Sequence, residues 1–171
     1  MKLLVYKNHR DHPFGKIFQI RWKEALGKSE CPYLFRWTLI FFGFTVRLHH
    51  WIRPDDNRYF HDHACDLISI ILKGGYYNVV PSSETDLDTR NGRQIKAKAW
   101  RPWYAKATAK HYLLIPEGGA WTILFQGKPY HKWGFFVNNN PNKPNYYHKF
   151  RPLRYFHKFG IIQDENYTGG C

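Results

Sequence analysis

Two histidines one residue apart, His61 and His63, open the run Phe60-His61-Asp62-His63-Ala64-Cys65-Asp66-Leu67-Ile68-Ser69-Ile70-Ile71-Leu72-Lys73-Gly74-Gly75-Tyr76. The β-branched part of this run reads as a buried strand that ends in a glycine turn. Residues two apart on a strand share a face, so both imidazoles are expected side by side in one interior. Imidazole nitrogen suits iron, manganese, nickel and zinc, and a mononuclear site needs three or four donors aimed at one point from a rigid scaffold. The third donor in phase is His111, which heads the strand His111-Tyr112-Leu113-Leu114-Ile115. Three such donors leave coordination positions open for a substrate or dioxygen.

Several neighbours could serve the same chemistry. Arg53 and Arg58 flank the turn before the histidine pair, either as ion pairs with Asp55 or Asp56 or as captors of an anionic substrate at the mouth of the site. Tyr76 is a candidate pocket wall. One of His49 and His50 must face inward, as a fourth ligand, a substrate contact or a satisfied core residue. Cys65 shares the parity of the histidine pair and is expected to face their interior. Asp62 has the opposite parity and reads as a surface carboxylate or a hydrogen-bond partner of a ligand's second nitrogen. Tyr104, Tyr112, Trp121 and Trp133 read as core.

The elements that must position these residues are mostly strands. Tyr33 to Leu39, Phe41 to His50, Asp66 to Leu72, Tyr76 to Pro81, His111 to Pro116, Trp121 to Gln126 and Lys132 to Val137 are short β-rich segments separated by Gly, Pro, Asn or charge. Such spacing argues for an all-β sandwich or barrel. Before them, Ile17, Ile20 and Trp22 are compatible with a short helix ending near Gly27, or with an extended arm. Ser82 to Gly92 reads as a solvated loop or hairpin tip, and Asn138 to Asn145 as an Asn/Pro linker. The basic aromatic stretch Tyr146 to Phe159 is a strand or arm folded back over the domain, or a docking segment. The expected organisation is one domain, with an N-terminal arm over 1–32, a barrel over 33–137 and a linker and tail over 138–171.

The order of these motifs resembles the cupin superfamily: a His-x-His strand ending in a Gly turn, a variable loop, a His-led strand and further glycines at Gly118-Gly119 and Gly127. Leu48-His49-His50-Trp51-Ile52-Arg53-Pro54-Asp55-Asp56 leading into Tyr59-Phe60-His61-Asp62-His63, with Ser69 to Tyr76, Trp121 to Gly127 and Trp133-Gly134-Phe135, is similar to small cupin-like proteins of bacteria and phages. The resemblance covers roughly residues 33–137 and implies an all-β, cupin-type double-stranded β-helix, a jelly-roll barrel. It does not carry an activity with it. The chain also departs from the pattern. Where the first cupin motif has a glutamate, this chain has Leu67 and Ile68, and Asp66 would ligate only through a bulge. The expected Pro-x-Gly before the last histidine is Thr108-Ala109-Lys110. What is left resembles the three-histidine site of the cupin thiol dioxygenases, which implies iron(II), with zinc, manganese or nickel as alternatives.

The leading expectation is therefore an iron(II) dioxygenase or hydroxylase acting on a small anionic substrate. A 2-oxoglutarate mechanism is disfavoured, because the residue two after His61 is His63 and the residue two after His63 is Cys65. A non-redox isomerase or lyase using the metal as a Lewis acid is the second reading. The formal charge of +13 over 171 residues favours anionic partners, and with the aromatic tail it keeps a nucleotide or nucleic-acid partner open. No run approaches the length of a membrane helix and no secretory signal is evident, so a soluble cytoplasmic protein without a membrane partner is expected. Cys31, Cys65 and Cys171 are too scattered for a disulfide framework or a cysteine zinc site, and each reads most simply as a free thiol. Pairing of two copies through sheet edges follows from the resemblance.

Overall fold

The computed structural model describes residues 18–28, 31–54, 59–84, 86, 91–131, 133–137 and 146–149. They form twelve strands and, among the described residues, no helix that is long and apolar enough to cross a membrane. In chain order these are β1 (Phe18–Lys28), β2 (Cys31–Phe41), β3 (Phe44–Trp51), β4 (Phe60–His61), β5 (Leu67–Gly74), β6 (Tyr77–Val80), β7 (Arg93–Lys96), β8 (Trp103–Ala105), β9 (Tyr112–Leu114), β10 (Ala120–Gln126), β11 (Gly134–Val137) and β12 (Tyr146–Lys149). One antiparallel sheet runs β1-β2-β3-β10-β5-β8; two smaller ones run β12-β11-β4 and β7-β6-β9. An antiparallel bridge between His61 and His111 joins the smaller pair, giving a second layer in the order β12-β11-β4-β9-β6-β7. Successive strands from β3 to β11 largely alternate between the layers, which is the jelly-roll form of an all-β domain.

Of the two readings before Gly27, a short helix or an extended arm, the extended one forms. Three apolar residues at helical spacing are a weak signal, and the ladder with β2, from Phe18 opposite Phe41 to Lys28 opposite Cys31, prevails. The main sheet therefore begins at Phe18, inside the expected arm, and a piece of the tail, Tyr146–Lys149, pairs with β11. The region from Phe41 to His50 is not one strand: Phe42 and Gly43 take positive φ values of 47° and 82° and turn β2 back into β3 with Phe41 facing Phe44. This is the two-residue hairpin geometry that matches sheet twist. The acidic segment beginning at Ser82 joins β6 to β7, as a hairpin tip should.

The apolar core lies between the layers at one end. Leu34, Trp51, Ile71 and Ala120 from the large sheet meet Tyr76, Ala97 and Ile115. A second cluster, Phe60 and Val79 with Tyr112, Leu114 and Phe136 around them, backs β4 and β9. Gly74 and Gly119 bring the end of β5 and the start of β10 together: both have positive φ, and a Cβ on Gly119 would run into the Trp51 carbonyl. Gly118 also has positive φ (+89°) but meets nothing within 4 Å. Gly118→Ala should thus lose only the backbone preference, about 1 kcal/mol, while Gly119→Ala should lose on the order of 4 kcal/mol because backbone has to move. Urea unfolding of the two variants checks this; equal losses would mean that the close approach is not what requires glycine.

Candidate metal centre

His61 and His111 sit opposite one another and exchange both backbone hydrogen bonds, His61 N to His111 O at 2.9 Å and His111 N to His61 O at 3.0 Å. His63 lies beyond the two-residue strand β4, held by its backbone N–H to the Ala107 carbonyl at 2.9 Å. The pair therefore does not head the strand Leu67–Gly74, as its sequence suggests; β4 belongs to the other layer, and the chain crosses between layers over residues 62–66. The three rings nevertheless converge. Their centroids are 4.8 to 5.4 Å apart, and one ring nitrogen from each lies within 4.8 Å of the others.

The donors are set up to present lone pairs. His111 Nδ1 is 2.6 Å from Asn78 Oδ1; the amide oxygen can only accept, so the ring hydrogen sits on Nδ1 and Nε2 is left as the donor atom. That Nε2 lies 2.6 Å from His63 Nε2. Burial disfavours the imidazolium in all three: it pushes His61 down to about 4 and His63 to about 3, with His61 and Arg47 adding to the effect on His63. His111 is pushed well below its ordinary value, by burial first and then by His61 and His63. Three neutral, convergent imidazoles, His111 buried and His61 and His63 half-buried, one with its tautomer fixed from behind, fit a divalent ion. Among the described residues the group contains no carboxylate, so a dication held there would keep its full charge.

The other expected residues are placed differently. Cys65 is a buried free thiol outside the group, whereas Cys31 is disulfide-bonded rather than free. Asp62 is buried and turned away: Oδ1 accepts from Gly134 N and Oδ2 pairs with His131 Nε2, both at 2.7 Å. It anchors the entry to β11. Asp66 does not ligate; its carboxylate accepts from Ala107 N and Tyr104 OH, each at 2.8 Å, and from Tyr130 OH. Since Ala107 also holds His63, Asp66 steadies the group through the backbone. Tyr104, expected in the core, is 57% exposed, held at the surface by this bond. Arg53 donates from Nη2 to the Cys31 carbonyl at 2.8 Å, and Arg58, Asp55 and Asp56 lie outside the described residues. Tyr76 is core, its hydroxyl 3.1 Å from Ser69 Oγ. His49 faces inward and His50 outward, stacked on Trp121 at 4.2 Å. Sequence reading missed Asn78; its signal is a polar residue inside the strand Tyr77–Val80, where burial demands a partner.

No protein-family model matches the sequence, and no curated protein matches it. Among solved structures, the chain is similar to hydroxypropylphosphonic acid epoxidase from S. wedmorenis, at 11% identity and a TM-score of 0.46 over 61% of this chain and 55% of that one. For the iron(II) form of that enzyme the values are 10%, 0.48, 68% and 58%. A cupin-2 domain protein from Shewanella frigidimarina gives 11%, 0.39, 50% and 72%. The chain thus spans little more than half the length of the epoxidase.

The Asn78 contact generates a test. Asn78→Ala should weaken cobalt(II) binding about 10–100-fold, while the fold loses no more than a buried hydrogen bond, about 1–3 kcal/mol. Titration of the visible cobalt bands beside a denaturation curve separates the two; unchanged affinity would mean that Asn78 does not orient His111.

Proposed function

We propose that the chain is a metal-dependent enzyme of cupin type that uses iron(II) at His61, His63 and His111 to oxidise a small anionic substrate with dioxygen. The observation that carries this reading is the donor set: three convergent neutral imidazoles and, among the described residues, no carboxylate in the group. Iron(II) held by them would supply redox chemistry with dioxygen, and its undiminished charge would favour an anionic donor from the substrate. The chain's own part is to bind, orient and exclude water. Asn78 keeps His111 Nε2 available, Asp66 and Ala107 hold the His63 backbone, and the cluster around Phe60 and Val79 packs the opposite face of the strands that carry the histidines. Zinc, manganese or nickel on the same imidazoles would support an isomerase or lyase instead, and the identity of the metal separates the two readings.

Elemental analysis of protein purified without a metal-affinity tag tests the proposal. Close to one iron per chain is expected, lost in both His61→Ala and His111→Ala, with oxygen consumption in the wild type when anionic metabolites are supplied. Zinc or manganese with no oxygen uptake would transfer the reading to non-redox chemistry. A wild type that takes up no metal from iron, zinc or manganese solutions would overturn it.

A further inference from the structure

The inner face of the large sheet is built from cations. Arg21, Thr38 and Arg47 form one cross-strand row on β1, β2 and β3, and Glu24, Arg36 and His49 form the next. A bulge between Arg21 and Glu24, with Lys23 at φ 46°, lets both side chains share that face. In these two rows three guanidiniums face one carboxylate. Glu24 takes Arg36 at 3.0 Å and Arg21 at 3.7 Å, which leaves Arg47 with no acid of its own in them. Its Nη1 donates to Gln126 Oε1, and its Nε is buried without a hydrogen-bond partner.

Arg47 is not the only donor in this position. His49 is 8% exposed and its Nε2 has no partner; Gln19 is fully buried, and its amide nitrogen has none while its oxygen accepts from Arg21 at 3.3 Å. A buried donor without an acceptor is costly, and a buried guanidinium without a counter-charge more so. Arg47 Nε and the Gln19 amide nitrogen can only donate, His49 can donate from Nε2 in one tautomer, and the surplus charge is positive, so the complement of this face is an oxyanion. Burial, and Arg36 next to it, already hold the Arg47 guanidinium down at about 9. His111 shares its face with Leu113 and Ile115, which with Tyr76 pack against the inner residues of the large sheet, so the cationic rows and His111 line the same interior.

We propose that Arg47, with His49 beside it, is the seat for the acid group of a small organic acid whose remaining part reaches the three-histidine group. The proposal rests on the metal-enzyme reading above and gives it a substrate class. It also moves anion capture from the rim, where Arg53 is engaged with the Cys31 carbonyl, to the interior. The acid group is a carboxylate or a tetrahedral oxyanion, and the two are told apart by their probes.

Thermal unfolding of the full chain, metal-free and cobalt-loaded, is measured against acetate, inorganic phosphate and sodium chloride at matched ionic strength. Acetate or phosphate should raise the midpoint saturably, by several degrees at about 100 times Kd, with and without cobalt, and chloride should not. Arg47→Met should abolish the rise while leaving the midpoint in chloride at or above the wild-type value, since a half-buried charge with no acid paired to it in these rows has been replaced by a similar apolar volume. Arg47→Lys should keep a rise with about tenfold weaker affinity, and Arg53→Met should keep it in full. A wild type that responds to acetate and phosphate no more than to chloride, or an Arg47→Met protein that still responds, overturns the seat. Should Arg47→Met not fold, the wild-type titration and Arg47→Lys decide alone. Cobalt absorption in the same samples reports separately on the metal: anion binding without cobalt uptake sinks the metal reading and leaves the seat, and cobalt uptake without anion binding does the reverse.

Discussion

Two backbone hydrogen bonds, exchanged between His61 and His111, carry most of the geometric burden of this molecule. They are the link that makes one layer of two three-stranded sheets. Because the bond-making residues are themselves the candidate ligands, their side chains inherit their separation from the sheet and not from packing. A register slip of one residue would turn His111 to the opposite face. Around this link the supports are also mostly backbone: His63 to Ala107, and Ala107 to the Asp66 carboxylate. Such a site is precise because side-chain freedom plays little part in it.

The large sheet is the inverse of an ordinary one. On β2 the buried positions are Leu34, Arg36, Thr38 and Ile40, whereas Phe35, Trp37, Leu39 and Phe41 face outward. On β3 and β10 Arg47, His49 and Thr122 belong to the inner face, and Phe44 and Phe125 to the outer. An interior that accepts three arginines gives up hydrophobic stabilisation there, and the apolar end around Leu34, Trp51 and Ile71 has to supply it. The outer face keeps some order through stacking, Trp37 on Trp121 and Trp121 on His50. A fold selected for stability alone would exchange the two faces.

Much of the architecture was legible in the sequence because strands announce themselves by β-branched and aromatic residues between turn signals. Seven of the strands lie where that texture is, and the three histidines declare themselves by type. The missed strands have physical reasons. β4 is two residues long, β7 and β8 are short and polar or aromatic, and the mixed spacing of Ile17, Ile20 and Trp22 leaves β1 open between a short helix and an extended arm. What periodicity could not supply is the choice of face. A period of two says that Phe35, Trp37 and Leu39 lie together and that Arg36 and Thr38 lie together, but the usual assumption then sends the arginine to solvent. For the same reason Arg47 went unnoticed while Arg53, in the stretch before the histidine pair, attracted attention. Asn78 was invisible until its partner was known, since one polar residue in a strand has no address by itself.

The position of β10 has a consequence for the order of assembly. It lies between β3 and β5, strands that precede it in the chain by a long interval, and bonds to both. The large sheet is therefore incomplete until the polypeptide has been made as far as Gln126, and contacts of such separation are slow to form because loop closure comes first. His61 and His63 are neighbours from the start, but His111 joins them only when the two layers have closed. A cation that arrives early meets a two-nitrogen clamp, and the bond it gains from the third nitrogen is delivered at the closing step itself. The metal would then act on the folding rate of this domain as well as on its finished stability.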